Sequence, residues 1–138
     1  MLAAPVVIAA VAISPGDIFT GLTDACWRAD MPSGATDTHC FTVAVGGKLV
    51  MDVHKVRNTD AAVTYEGVTL YRAAVGGIVY TYYNSLGDLI PGVATRTGNV
   101  ITFAPDLNWR LSTDAYDVLS TTGAVHFTRL GPATDGGL

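Results

Sequence analysis

Charge is scarce in this chain. Of 138 residues, Lys and Arg number 8 and Asp and Glu 12, so charged residues make up 14%, well below the usual quarter. The net charge is -4 at pH 7. No basic patch is available, which argues against nucleic acid as a partner. Long apolar runs are also missing. The one uncharged stretch, Leu2 to Ile13, is shorter than the ~18–20 residues of a membrane-spanning helix, so no stable membrane span is expected. There are two cysteines, Cys26 and Cys40, and no Cys-x-x-Cys spacing, which removes thioredoxin-type redox motifs and thiolate zinc sites. No serine stands in a nucleophile elbow, and there is no phosphate loop. Beyond the first segment no helical period appears, so a helical bundle is excluded.

What remains is a chain that is 49% hydrophobic, sized for one domain and punctuated by glycine. The stretch from Asp37 to Val56 reads as a β-hairpin around Gly46-Gly47, since a Gly-Gly loop accepts the positive φ of a tight turn. That turn sets a register. Val43 faces Val50, Phe41 faces Asp52, His39 faces His54 and Asp37 faces Val56, all on one face, because side chains alternate along a strand. Ala44, Leu49, Thr42, Met51, Cys40, Val53, Thr38 and Lys55 take the other. Two imidazoles and two carboxylates mixed with Phe and Val suggest the lining of a cavity. The alternative turns Leu49, Met51 and Val53 to the core and the His/Asp face to water.

Gly76-Gly77 repeats the device. The same logic pairs Val75 with Ile78, Ala73 with Tyr80, Tyr71 with Tyr82 and Thr69 with Asn84. Further strand-like runs are Ala25–Ala29, Ala62–Glu66 with a bend at Gly67, Leu89–Thr97 interrupted at Pro91-Gly92, Val100–Ala104, Asn108–Leu111, Tyr116–Ser120 and Val125–Leu130. Short strands with turn signals every 8–12 residues predict an all-β fold. Consecutive hairpins favour an antiparallel up-and-down meander of about nine or ten strands, and closure into a β-barrel removes its edges. The domain is expected over residues 15–130, with 131–138 a loose tail. Residues 1–14 fit the apolar core of a secretory signal, with Ala10-Val-Ala12 a small-x-small cleavage site, or a buried N-terminal segment. The first reading puts the protein in the periplasm or outside the cell, the second in the cytoplasm. In the exported case a disulfide is permitted. If the strands carrying Cys26 and Cys40 are neighbours with Trp27 inward, both sulfurs point outward together and bridge. The alternative is two unpaired small hydrophobes.

Leu22-x-x-x-Cys26-Trp27-Arg28 resembles the first strand of the calycin class, which includes lipocalins and fatty-acid-binding proteins and in which a Trp plugs the barrel floor. The set Cys26-Trp-Arg, Thr36-Asp-Thr-His-Cys-Phe41, Asp52-x-His54, Tyr65-x-Gly67-x-Thr69-x-Tyr71, Tyr80-Thr-Tyr-x-Asn84-Ser-x-Gly87 and Asp114-Ala-Tyr116 is similar to a group of small exported bacterial lipocalin-like proteins. The likeness runs from about Leu22 to Leu130. Ala25 stands where calycins carry Gly, two residues before the Trp, and the link between Phe103 and Trp109 is short. The resemblance implies a barrel fold and no reaction. Arg28 sits next to Trp27 on the opposite face, and because calycins often close one end with an Arg stacked on the Trp, the resemblance implies a structural role for it.

The expected site is His39, Phe41, Asp52, His54, Tyr71, Tyr82 and Asn84, lining a cavity for a small hydrophobic or amphipathic ligand. Asp52 diagonal to His39 would hold its tautomer and raise its basicity. Two His and two Asp are metal-ligand types, but metals need three or four convergent donors, and directly opposed strand neighbours seldom supply them. No metal or other cofactor is therefore expected. His126 is read as a lone surface histidine. Cys40 and His39 are adjacent and point to opposite faces, so they do not form a thiol–imidazole pair. Two other functions use the same residues. One is an enzyme with His/Asp acid–base chemistry, and the other a filled structural barrel without a cavity.

Overall fold

The computed structural model describes residues 3–5 and 14–133. Apart from residues 3–5, the apolar segment read as a signal core lies outside the described residues, as do residues 134–138. A short helix, α1 (Pro15–Ile18), precedes ten strands: β1 (Ala25–Asp30), β2 (Thr36–Ala44), β3 (Leu49–Arg57), β4 (Val63–Ala74), β5 (Gly77–Asn84), β6 (Leu89–Thr97), β7 (Val100–Phe103), β8 (Leu107–Ser112), β9 (Ala115–Ser120) and β10 (Gly123–Pro132). Each strand pairs with its chain neighbours, and β1 pairs antiparallel with β10, which closes an up-and-down barrel. Closure satisfies the edges that a ten-stranded open sheet would expose.

The expected register of β2 and β3 holds from Thr36↔Arg57 through His39↔His54 and Phe41↔Asp52 to Ala44↔Leu49. The turn takes four residues rather than two. Val45, Gly46 and Gly47 all have positive φ (54°, 63° and 84°), and Lys48 N–H donates to the Val45 carbonyl at 3.2 Å. The second hairpin differs by two residues. Ala74 pairs with Gly77, Ala73 with Ile78, Tyr71 with Tyr80, Thr69 with Tyr82 and Gly67 with Asn84, because Gly77 joins the strand and the turn is Val75-Gly76. A Cβ on Gly77 would lie 3.0 Å from the Ala94 carbonyl oxygen, so this glycine serves strand packing. A two-residue slip keeps each side chain on its expected face.

Other boundaries move for physical reasons. Gly67 makes no break: β4 runs through it, because the Tyr82 ring lies where a Cβ would be, and the Tyr80 ring covers Gly92 in the same way. Pro91 pairs with Thr81 inside a continuous β6. The tail starts later than expected, because Gly131 and Pro132 pair with Cys26 and Ala25.

One end of the barrel is plugged. Ile18, Phe19 and Leu22 are buried, and the Phe19 ring sits 4.3 Å from Tyr71 and 6.2–6.5 Å from Phe41, Phe103 and Trp109, centroid to centroid. Trp27 is buried beside this plug and donates its indole N–H to the Leu22 carbonyl at 3.0 Å. The arginine that ties the plug across the barrel is not Arg28. Arg28 points outward and pairs with Asp30 at 2.8 Å, as the residue after an inward Trp must. Arg96 on β6 instead donates to the carbonyls of Ile18 and Thr20 at 2.9 and 2.7 Å. Cys26 and Cys40, directly paired across β1 and β2, form a disulfide on the outer face.

Candidate functional site

Above the plug lies a cavity of about 320 Å³. It is open at its mouth and lined by two walls of different character. The hairpins of β2–β3 and β4–β5 contribute Asp37, His39, Asp52, His54, Thr69, Tyr71, Tyr80 and Tyr82. Strands β6 to β10 contribute Ile90, Phe103, Leu107, Trp109, Val118, Val125 and Phe127. The His/Asp face of the first hairpin therefore looks into the barrel, while Leu49, Met51 and Val53 lie on its outer face.

Alternation along two facing strands builds the polar wall. Asp37 and His39 are two apart on β2, and Asp52 and His54 two apart on β3. His39 and His54 stack with ring centroids 4.0 Å apart and planes 17° from parallel. Asp52 is 2% exposed and lies within hydrogen-bond reach of His39 Nδ1 with both oxygens, at 3.0 and 2.8 Å. Nδ1–H therefore donates, and Nε2 is left toward Asp37. Burial, the largest influence on His39, lowers its pKa. The Asp52 carboxylate, through charge and hydrogen bond, and then the Asp37 charge outweigh it, so the net shift is upward.

Asp37 Oδ1 lies 3.6 Å from His39 Nε2 and 2.6 Å from His54 Nε2. The second contact lies off the direction a hydrogen bond requires. Asp37 Oδ1 and His54 Nε2 are thus buried without a hydrogen-bonded partner among the described residues, which is uncommon in folded proteins. Trp109 Nε1 and the Tyr116 hydroxyl share that condition. Tyr65 and Tyr82 share a short hydroxyl–hydroxyl hydrogen bond. Burial first, then that bond to Tyr65, raise the Tyr82 pKa. Burial likewise raises Tyr71, Tyr80 and Tyr116, so all four phenols keep their protons at physiological pH.

Of the expected site residues, His39, Asp52, His54, Tyr71 and Tyr82 meet at the cavity. Phe41 is fully buried and packs beneath it, stacked on Phe19 and 6.1 Å from the His39 ring. Asn84 is elsewhere. It ends β5, and its Oδ1 accepts the N–H groups of Leu86 and Asp88 at 3.0 and 3.1 Å. An Asn that closes its own turn is not available to a cavity, and Asn84 lies opposite Gly67 at the rim of the sheet. Sequence reasoning missed Asp37 as a site residue, although its register placed it on the right face. It also missed Trp109 and Phe127, which barrel closure brings across from the far strands. His126 is exposed and pairs with Asp117 at 2.5 Å on the outer surface.

Comparison with protein-family models and with curated proteins found no match for the chain. The class is set by structure: a closed antiparallel ten-stranded β-barrel, compatible with a calycin-like fold and consistent with a ligand-binding barrel. Among the described residues no helix is long and apolar enough to cross a membrane.

Proposed function

We propose that this is a lipocalin-like binding module that holds a small amphipathic molecule in the barrel. One observation carries the reading: the cavity has an aliphatic and aromatic wall facing a wall of His, Asp and Tyr. Such sites orient a ligand by a few polar groups and bind its body by apolar burial. At about 320 Å³ the space is at the small end of ligand pockets, which run from about 300 to 1,000 Å³. A single-ring or short-chain molecule with one polar head fits that volume better than a long acyl chain. Trp109 Nε1, without a hydrogen-bond partner among the described residues, gives a head group or ordered water a donor to satisfy. Export to the periplasm or outside the cell is part of the proposal. It is supported by the Cys26–Cys40 disulfide, since oxidising compartments preserve such bonds, and by the apolar first segment.

The test uses Trp109 as reporter. Native mass spectrometry of purified protein and fluorescence titration with small phenols and short fatty acids should reveal saturable one-to-one binding. Val125→Trp, which fills the cavity from β10, should abolish binding while leaving the circular dichroism spectrum unchanged. Equal binding by the filled variant would remove the cavity as the site.

A further inference from the structure

We infer that Asp37, His39 and His54 form a three-donor site for a divalent transition metal, with Zn²⁺ the best chemical match, on the polar wall of the cavity. The three residues each bring one ligand atom to within 4.8 Å of the others. The stereochemistry follows from the hairpin. Asp37 and His39 share the inward face of β2, and His54 is the direct partner of His39 on β3, so three donors arise from two strands without a loop. Tetrahedral zinc with bonds of about 2.0–2.1 Å spaces its donors about 3.3 Å apart. Asp37 Oδ1 to His39 Nε2, at 3.6 Å, is close to that spacing. Asp37 Oδ1 to His54 Nε2, at 2.6 Å, is shorter, and an ion between them would draw the carboxylate aside.

Two further features favour a cation over a plain hydrogen-bonded cluster. Asp37 Oδ1 and His54 Nε2 are buried without a hydrogen-bonded partner among the described residues, and a metal satisfies both at once. His39 already has its other nitrogen on Asp52, the carboxylate–imidazole arrangement that fixes the tautomer and turns the second nitrogen toward a metal. Two imidazoles and a carboxylate select a transition ion over Mg²⁺ or Ca²⁺. Both cysteines are held in the disulfide, so no thiolate competes. Three protein donors leave the fourth zinc position open toward the cavity, the pattern of zinc sites that take water or an exogenous ligand. The metal site stands independently of the ligand-binding proposal and survives its failure.

The experiment titrates untagged, chelator-stripped protein with Co²⁺ and then Zn²⁺, monitored by visible absorption and calorimetry. One equivalent of Co²⁺ should give a ligand-field band that one equivalent of Zn²⁺ abolishes. Asp37→Asn and His54→Gln should each weaken Zn²⁺ binding at least tenfold. Asp52→Asn, which acts only through His39, should weaken it by about 10- to 100-fold. His126→Gln, on the outer wall, should change nothing. Absence of a band and of binding heat in the folded wild-type protein would overturn the assignment. So would a band that His126→Gln removes and His54→Gln leaves intact.

Discussion

The two ends of the barrel are built on opposite terms. At the plugged end Phe19, Leu22, Trp27 and Phe41 are buried to 1% or less, the indole N–H has its acceptor, and Arg96 meets two carbonyls. The disulfide pins β1 to β2 on the outside of the same region. At the cavity end stacked imidazoles share the wall with two carboxylates, and Asp37 Oδ1, His54 Nε2 and Trp109 Nε1 have no hydrogen-bond partner among the described residues. The plugged end is mostly closed by its own side chains, with the Tyr116 hydroxyl beside Trp27 the exception, whereas the cavity end would be completed by the ligand and ion proposed above. On the proposed reading, stability and binding are separated along one barrel axis, and substitutions at the two ends should have different signatures.

The largest effect is expected at the plug. Phe19→Ala removes a ring in contact with four aromatic neighbours and should cost about 3–5 kcal/mol, read as a lower midpoint in denaturant unfolding. It should leave Zn²⁺ affinity of the remaining folded protein within a few-fold. Loss of the ion site at denaturant concentrations where the barrel is still folded would show that the two ends are not separable.

Next comes the disulfide. It closes a loop across 14 residues of sequence, for which chain entropy predicts about 3 kcal/mol. Cys26→Ala/Cys40→Ala should lower stability by roughly that amount and spare cavity binding. The bridge lies on the outer face, behind His39 and Phe41. A binding defect larger than the stability defect would mean that the outer staple also sets the spacing of the inner wall.

How much of this contrast is legible in the sequence depends on how local the cause is. The β2–β3 register follows from Gly46-Gly47 and alternation, and it places His39, His54, Asp37 and Asp52 on one face. Gly76-Gly77 looks the same in sequence but pairs two residues out of step, because Gly77 is needed where Ala94 of the next strand approaches. That requirement is invisible within the hairpin. Asn84 shared a face with Tyr82 by parity, yet the turn after it recruits its side chain. The apolar wall depends on barrel closure and strand tilt, which bring Trp109 of β8 and Phe127 of β10 opposite β2, and no local pattern encodes that meeting. Arg96 holding α1 from 76 and 78 residues away is beyond local reading for the same reason.

The smallest effect expected is a pH dependence confined to the cavity end. His39 is faced by Asp52 and Asp37 and stacks on His54, and its pKa is raised above the ordinary value near 6.5. The folded state therefore binds that proton more tightly than the unfolded state. The resulting stability is fully present below about pH 6.5 and is lost as pH rises through the folded pKa. In chelator, and in a His126→Gln background that removes the surface pair, Tm should fall as pH is raised above about 6.5. Asp52→Asn should flatten that slope, because it removes the charge and the acceptor that hold the proton, even though the variant starts from a lower Tm. Phe19→Ala should lower Tm and leave the slope unchanged, since no titrating group is lost with the plug. A Tm that rises through this window in wild-type protein would mean that desolvation of the imidazole outweighs its two carboxylates, and the polar wall would then be held together by packing of the rings alone.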